Sequence, residues 1–275
     1  FGASVAGVDA GRQGIVPVSI APGRSVTVPV PLRVPRRPGR AVVDVGEGLL
    51  RLDVDVVRGG DEPWSALERK RRRLGYEAEH RQATELVASV LPPGGRRRLL
   101  EIGGGTHPQL AWVGGHDVVD VDISLPLLEL GSLWFAARAP ADVAAGLAFL
   151  CADATTLPFD DGTFDAVAMY ATLHHFARPE ALLAECRRVV GPTGVVAILC
   201  EPVGATLEEP DIIRDLAKGI NEQVFTIDEY RRIAGAAGLD LVTGVLAGGS
   251  LQAVLRPAAA SGETFDVAVA TGVVR

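Results

Sequence analysis

The sequence predicts an α/β fold: a mostly parallel, seven-stranded sheet with helices on both faces and an antiparallel terminal hairpin, preceded by a small β-rich module. Three observations predict it. From about residue 96 onward, short apolar runs alternate with helix-forming stretches, a pattern that lays strands in parallel and covers both faces with the crossing helices. A glycine cluster, Gly103-Gly104-Gly105, follows the first of these strands. The last two strand candidates are separated only by Ala247-Gly248-Gly249, enough chain for a hairpin and too little for a parallel crossover.

Residues 1–60 read as the β-rich module, with strand signals at 25–32, 41–45 and 49–57 and turn signals at Ala21-Pro22-Gly23 and Pro35 to Gly39. The prolines at 29 and 31 favour an edge strand, because proline cannot donate to a ladder. A complete sandwich usually takes ~100 residues, so this segment predicts an incomplete one. Asp61-Glu62-Pro63 breaks the pattern. Residues 61–95 read as a helical linker, with helix formers from Trp64 to about Leu91 and a stop at Pro92-Pro93-Gly94-Gly95.

The α/β core is predicted over 96–257. Its strands are expected at 98–102, 117–123, 148–152, 164–170, 194–200, 239–246 and 251–255, and its helices at 126–138, 179–190 and 227–237. Pro126 and Pro179 open the first two helices, where a missing N–H costs nothing. Thr226 with Glu229 forms a capping box for the third, and Gly238 closes it. A tail, 258–275, follows. The sequence shows no internal repeat.

Hydrophobic residues are 48% and charged residues 22% of the 275, which suits a soluble globular protein. No apolar run reaches the ~18 residues of a membrane span. The chain starts at Phe1 without a basic-then-apolar leader and reads as an excerpt or processed form. Cys151, Cys186 and Cys200 are an odd count without metal-ligand spacing, and read as core thiols of a cytoplasmic protein. Residues 1–100 carry 17 Lys/Arg against 11 Asp/Glu, and residues 101–275 carry 10 against 23. So acidic a second half argues against nucleic acid as its ligand. The basic run Arg69, Lys70, Arg71, Arg72, Arg73 reads as a solvated helix face, with contact to an anionic glycan or lipid surface as the alternative.

The chemistry is carried by Leu99-Leu100-Glu101-Ile102-Gly103-Gly104-Gly105, an apolar strand running into a bare-backbone turn. Glycines there let a ligand approach the main chain and its N–H groups. About twenty residues on, Val118 to Asp122 ends a second strand in a carboxylate, placed to accept both hydroxyls of an adenosine ribose. Three features separate the adenosine cofactors. Glu101, two residues before Gly103, would repel a pyrophosphate and attract a cationic amino acid, directly or through water. Asp153 with Ala154, after the third strand, can meet an adenine amino group and ring nitrogen. Gly162-Thr163-Phe164-Asp165 opens the fourth strand.

On these motifs, residues 96–257 resemble the class I S-adenosylmethionine-dependent methyltransferase superfamily, in particular its small-molecule branch, whose sheet is Rossmann-like. The resemblance implies S-adenosylmethionine as cofactor. It implies Glu101, Gly103, Gly104, Gly105, Asp122, Ile123, Asp153, Ala154 and Tyr170 as the residues that bind it. Leu173-His174-His175 matches the family's fourth-strand exit. His107 stands where the family often has a further glycine. Pro22-Gly23-Arg24-Ser25 and Pro35 to Gly39 resemble the tail of β-sandwich domains in bacterial surface-polysaccharide proteins, which implies a sugar or glycan end as methyl acceptor beside other hydroxylated small molecules.

Methyl transfer from a sulfonium needs positioning and exclusion of water more than activation of the leaving group. A hydroxyl acceptor adds the need for a base, expected at the carboxyl ends of the strands. The candidates are His174, His175, Glu201 and Glu222, with Asn221, Tyr170 and Tyr230 nearby in sequence. The plainer readings are packing at a strand exit for the histidines and solvated acids for the glutamates. No metal site is expected, because adjacent residues on a strand point to opposite faces. A non-catalytic glycan-binding or scaffold protein of the same fold, and a nicotinamide-dependent oxidoreductase, are the competing readings. The oligomeric state is not legible.

Overall fold

The computed structural model describes residues 3–6, 39–45, 50–56, 76–91, 94–204, 210–217, 219–247 and 250–258. The expected strand at 25–32, the basic run 69–73 and the tail beyond residue 258 lie outside them, as do the sandwich-like motifs of the N-terminal module apart from Gly39. That module's described strands, β1 (Ala3–Ala6), β2 (Gly39–Val45) and β3 (Leu50–Val56), form one antiparallel sheet in the order β1-β2-β3.

The second sheet has seven strands in the order β6-β5-β4-β7-β8-β10-β9. Its strands are β4 (Arg98–Ile102), β5 (Asp117–Asp122), β6 (Leu147–Cys151), β7 (Ala166–Tyr170), β8 (Val195–Pro202), β9 (Leu239–Ala247) and β10 (Ser250–Pro257). The first five run parallel, and β10 pairs antiparallel with both β8 and β9. The sequence is therefore right about the type of every strand of this sheet, and its boundaries differ by a few residues at most. The sheet order reverses beside β4, so the carboxyl ends of β4 and its neighbours open a crevice where ligands of such sheets bind.

Strand alternation explains the two cores. Leu100, Ile102, Val119, Val121 and Val167 point to the face covered by α4 (Pro179–Val190) and α6 (Ile227–Ala236). Leu99, Val118, Ala166 and Ala168 point to the face covered by α1 (Tyr76–Val90) and α2 (Leu125–Arg138). Pro126 sits in the first turn of α2 and Pro179 in that of α4. The capping box at α6 is formed: Thr226 Oγ1 accepts from the Glu229 N–H, and the Glu229 carboxylate accepts from the Thr226 N–H. Gly238 takes φ +71° just beyond the helix, which a glycine can do without strain.

Two short helices were not expected from the sequence, α3 (Ala141–Ala145) and α5 (Pro210–Ala217). Neither carries a long enough apolar period to announce itself. The cysteines are free thiols; Cys186 and Cys200 are buried, and burial pushes the Cys186 thiol up. Among the described residues no helix is long and apolar enough to cross a membrane.

Candidate functional site

The site is built where β4, β5, β6 and β7 end. A cleft of about 290 Å³ there is lined by Gly103, Asp122, Ile123, Asp153, Ala154, Tyr170, Thr172 and His175, among others. Six of the nine sequence-predicted cofactor residues, Gly103, Asp122, Ile123, Asp153, Ala154 and Tyr170, line the cleft; Gly104 and Gly105 continue the turn that starts at Gly103, and Glu101 lies beneath.

The turn requires glycine. Gly103 has φ +77° and Gly105 φ +56°, a left-handed backbone that side chains disfavour. A Cβ on Gly104 would stand 2.5 Å from Asp120 Oδ1 and 3.0 Å from Glu101 Oε1. The prediction for Gly104→Ala is therefore a loss of about 1–3 kcal/mol of stability from overpacking, measured by urea unfolding.

Asp122 ends β5. Its Oδ1 accepts the Ser124 N–H at 2.8 Å, which fixes the carboxylate, and its Oδ2 faces Gly105. Burial raises its pKa, against the lowering effect of the Ser124 and Ile123 N–H groups. Asp153 accepts through Oδ1 from the Thr155 N–H and hydroxyl, which leaves the cleft to its other oxygen. Ile123 is 77% exposed, an apolar surface flanking the cleft between the two acids. Tyr170 shares a hydrogen bond with Thr84 Oγ1 at 3.0 Å; burial raises its pKa well above the usual value, so it remains a phenol.

Glu101 does not face the cleft. Its oxygens accept the N–H groups of Gln109 and Leu110 at 2.9 and 2.7 Å, so it pins the end of the glycine loop from below. Asp120, opposite it on β5, is fully buried and accepts the Gly104 N–H through Oδ1. Its Oδ2 has no partner among the described residues. Burial pushes Glu101 up to about 8, and burial beside Glu101 and Asp122 raises Asp120 well above the carboxylate range.

This pair makes stability pH-dependent. Both acids are raised above their unfolded values of about 4. Their contribution is complete below that pH and is lost as pH rises through about 8 for Glu101. The unfolding midpoint should fall between pH 5 and pH 8.5 by a few degrees, a change on the order of 1–3 kcal/mol. In Asp120→Asn, whose amide oxygen can still accept from Gly104, the slope should flatten. An unchanged slope in the variant would show that the pair does not titrate as described.

The exit of β7 is strained. Ala171 has φ +47°, and a short 3-10 turn, Leu173–His175, follows. Glu201 on β8 holds that turn: its buried carboxylate accepts the N–H groups of Thr172, Leu173 and His174 and the Nδ1–H of His174. Tyr230 from α6 donates its hydroxyl to the Pro202 carbonyl at 2.9 Å and lies 3.4 Å from Glu201 Oε2. Glu201 therefore positions other groups and does not touch the cleft.

The sequence argument against a metal at His174 and His175 needs correction. β7 ends at Tyr170, so the pair is not on a strand, and its ring centroids lie 4.0 Å apart. Glu222 comes between them, 3.4 Å from His174 Nε2 and 3.4 Å from His175 Nδ1. Asn221 frames the same turn: its side-chain amide donates to the His175 carbonyl, and its own carbonyl accepts from His175 Nδ1 at 2.9 Å.

Sequence reasoning missed Thr172, Ala171 and Phe176 in the cleft wall, and Asp120. Thr172 carries no motif signal, and its closeness to Gly103 is a tertiary contact. Asp120 was readable, because alternation places it on the same face of β5 as Asp122.

Residues 100–198 match a protein family described as "Methyltransferase domain". Among curated proteins, the chain is similar to 27-O-demethylrifamycin SV methyltransferase of Amycolatopsis mediterranei (strain S699). The identity is 32% over 162 residues, covering 57% of this chain and 59% of the relative. It is 34% identical over 142 residues to demethylmenaquinone methyltransferase of Clavibacter sepedonicus, covering 51% and 55%. The chain thus spans a little over half the length of these curated relatives. A solved chain from the Haloferax volcanii complex of the Trm112 methyltransferase activator with a methyltransferase shares the fold, with TM-score 0.56, 19% identity and coverage of 74% of this chain and 100% of that one. The mostly parallel sheet with its antiparallel final pair gives the chain a Rossmann-like fold, and the segment 100–198 within it is similar to the methyltransferase domain family.

Proposed function

We propose that the chain transfers a methyl group from S-adenosylmethionine to a small-molecule acceptor, with a hydroxyl as the acceptor group. The observation that carries this reading is the shared cleft. Two carboxylates, Asp122 and Asp153, line it beside a turn whose glycine Gly103 no side chain could replace without meeting Thr172. Such a cradle fits an adenosine joined to an amino acid: Asp122 for the ribose hydroxyls, Asp153 and Ala154 for the adenine edge, Ile123 against its face, and the loop from Gly103 to Gly105 with Tyr170 for the amino-acid end. When bound, the sulfonium supplies an electrophilic methyl group with its leaving group already activated.

The chain's own residues orient the partners and keep water out. The strained exit at Ala171 and the turn held by Glu201 bring His175 to the cleft wall, next to His174 and Glu222. A base is useful for a hydroxyl acceptor and superfluous for a better nucleophile, which is why this cluster supports O-methylation. The two curated relatives are named for small-molecule acceptors. A saccharide acceptor rests on the resemblance of the N-terminal motifs alone. The glycan-binding and nicotinamide readings make opposite demands of the cleft and are separated by the same measurement.

Calorimetric titration tests the reading. S-Adenosylmethionine and its demethylated product should bind at about one per chain, and nicotinamide dinucleotides should not. Asp153→Ala should weaken the donor roughly tenfold, the worth of one hydrogen bond to a charged group. Binding of a nicotinamide cofactor without binding of the methyl donor would refute the proposal.

A further inference from the structure

We propose that His174, His175 and Glu222 form a binding site for a divalent transition-metal ion of the zinc type, at the acceptor side of the cleft. Two imidazoles and one carboxylate offer ligand atoms that all lie within 4.8 Å of one another. His174 Nε2 lies 3.4 Å from Glu222 Oε2, and His175 Nδ1 lies 3.4 Å from Glu222 Oε1. Both separations are longer than a charge-assisted N–H···O bond, about 2.7–2.9 Å. One carboxylate thus faces both imidazoles, one through each oxygen, without closing a short ion pair on either.

The surroundings support the same assignment. His174 Nδ1 lies 2.8 Å from the acceptor-only carboxylate of buried Glu201, which leaves Nε2 as the nitrogen turned toward Glu222. A carboxylate behind a ligating histidine is the usual second partner of metal-bound imidazoles. The Glu222 side chain is only 4% exposed and His174 7%, while His175 is 38% exposed. Two ligands are thus sheltered and the third opens to the cleft, which leaves a fourth position for water or a substrate oxygen, as in catalytic rather than structural sites. His175 Nδ1 would exchange its hydrogen bond to the Asn221 carbonyl for the ion. Mixed nitrogen and oxygen ligands favour zinc-type ions over magnesium or calcium, which take oxygen alone.

The chemical use of the site rests on the methyl-transfer reading; the binding does not. An acceptor hydroxyl at the open position would lose its proton to water more readily than in solution. Its oxygen would then take the methyl group, while the sulfur keeps the electron pair of the broken S–C bond as a thioether.

The test uses the tag-free full chain, stripped with a chelator and titrated with Zn²⁺ by calorimetry and with Co²⁺ by visible absorption, with no methyl donor present. About one ion per chain and an intense tetrahedral Co²⁺ spectrum are expected. His175→Ala, at the exposed ligand, and Glu222→Gln should each weaken binding by at least roughly tenfold. Glu201→Gln should weaken it about 10–100-fold without removing a ligand. Thermal unfolding of each variant confirms that it is folded. Absence of binding by the folded wild-type chain overturns the proposal, as does binding that His175→Ala and Glu222→Gln leave unchanged. Either result leaves donor binding, measured separately, to decide the methyl-transfer reading.

Discussion

Replacing Asp122 with alanine is expected to weaken S-adenosylmethionine binding by roughly 30- to 1,000-fold, about 2–4 kcal/mol. The magnitude follows from what the carboxylate does in place. The Ser124 N–H holds Oδ1 at 2.8 Å, so the group is already oriented before a ligand arrives. Burial raises its pKa, which means that the ionised form is poorly solvated and gains more from ligand hydroxyls than a surface acid would. Two hydroxyls can share it, and hydrogen bonds to charged groups contribute about 1.5–3 kcal/mol each. Asp122→Asn keeps one acceptor oxygen and should lose about tenfold. Because the raised pKa brings protonation into a higher range than for an ordinary aspartate, donor affinity should begin to fall at a correspondingly higher pH as the solution is acidified. The alanine variant should remain folded, since the part-buried turn bond from Ser124 that it gives up is worth about 1 kcal/mol. Calorimetry on the folded variant decides the matter, and unaltered affinity would remove Asp122 from the site.

Particular residues show what was legible and why. β4 could be read to the residue from Arg98–Ile102, because a short apolar run ending in three glycines has few other solutions. The capping box at Thr226 was equally plain, being a local pattern of four residues. Acids at strand ends were legible for the same reason: alternation and strand length place Asp122 and Asp153 without tertiary information. Glu101 was legible as important, yet its direction was not. Whether a strand-end acid turns to the ligand or under the loop depends on where Gln109 and Leu110 return, and that is set by the fold. The His174–His175 pair shows the opposite limit. A strand-based rule of opposite faces was applied to residues that lie on a 3-10 turn, and the partner, Glu222, is separated from them by more than forty positions in the sequence. Cys200 has φ +56°, and its N–H donates to Gln252 Oε1 at 3.0 Å next to a register shift in β10. No sequence signal announces that irregularity, although it lies directly before Glu201 in the chain and helps to aim it.

Truncating Glu201 to alanine should destabilise the protein by about 3–5 kcal/mol, the cost of leaving buried partners of a charged group unmatched. Three backbone N–H groups, those of Thr172, Leu173 and His174, converge on this one carboxylate, and the strained Ala171 precedes them. Without the acceptor these donors are stranded in a site that water enters poorly, and the turn has no reason to keep its shape. Against a typical total of about 5–15 kcal/mol, the loss is large enough to lower Tm by roughly 10 °C or more. Glu201→Gln separates the two roles of the residue. Its oxygen can still accept from Thr172 and Leu173, which share Oε1, so the fold should survive with a smaller loss. Its amide nitrogen, however, would face the His174 N–H and Nδ1–H, both donors, and the imidazole must turn or change tautomer. Donor affinity should therefore stay within about threefold of the wild type, since Asp122, Asp153 and the glycine turn are untouched, while methyl transfer falls by about 10–100-fold. A glutamine variant that transfers methyl groups at the wild-type rate would mean that the orientation of His174 has no part in the reaction, and the carboxylate would then be structural alone.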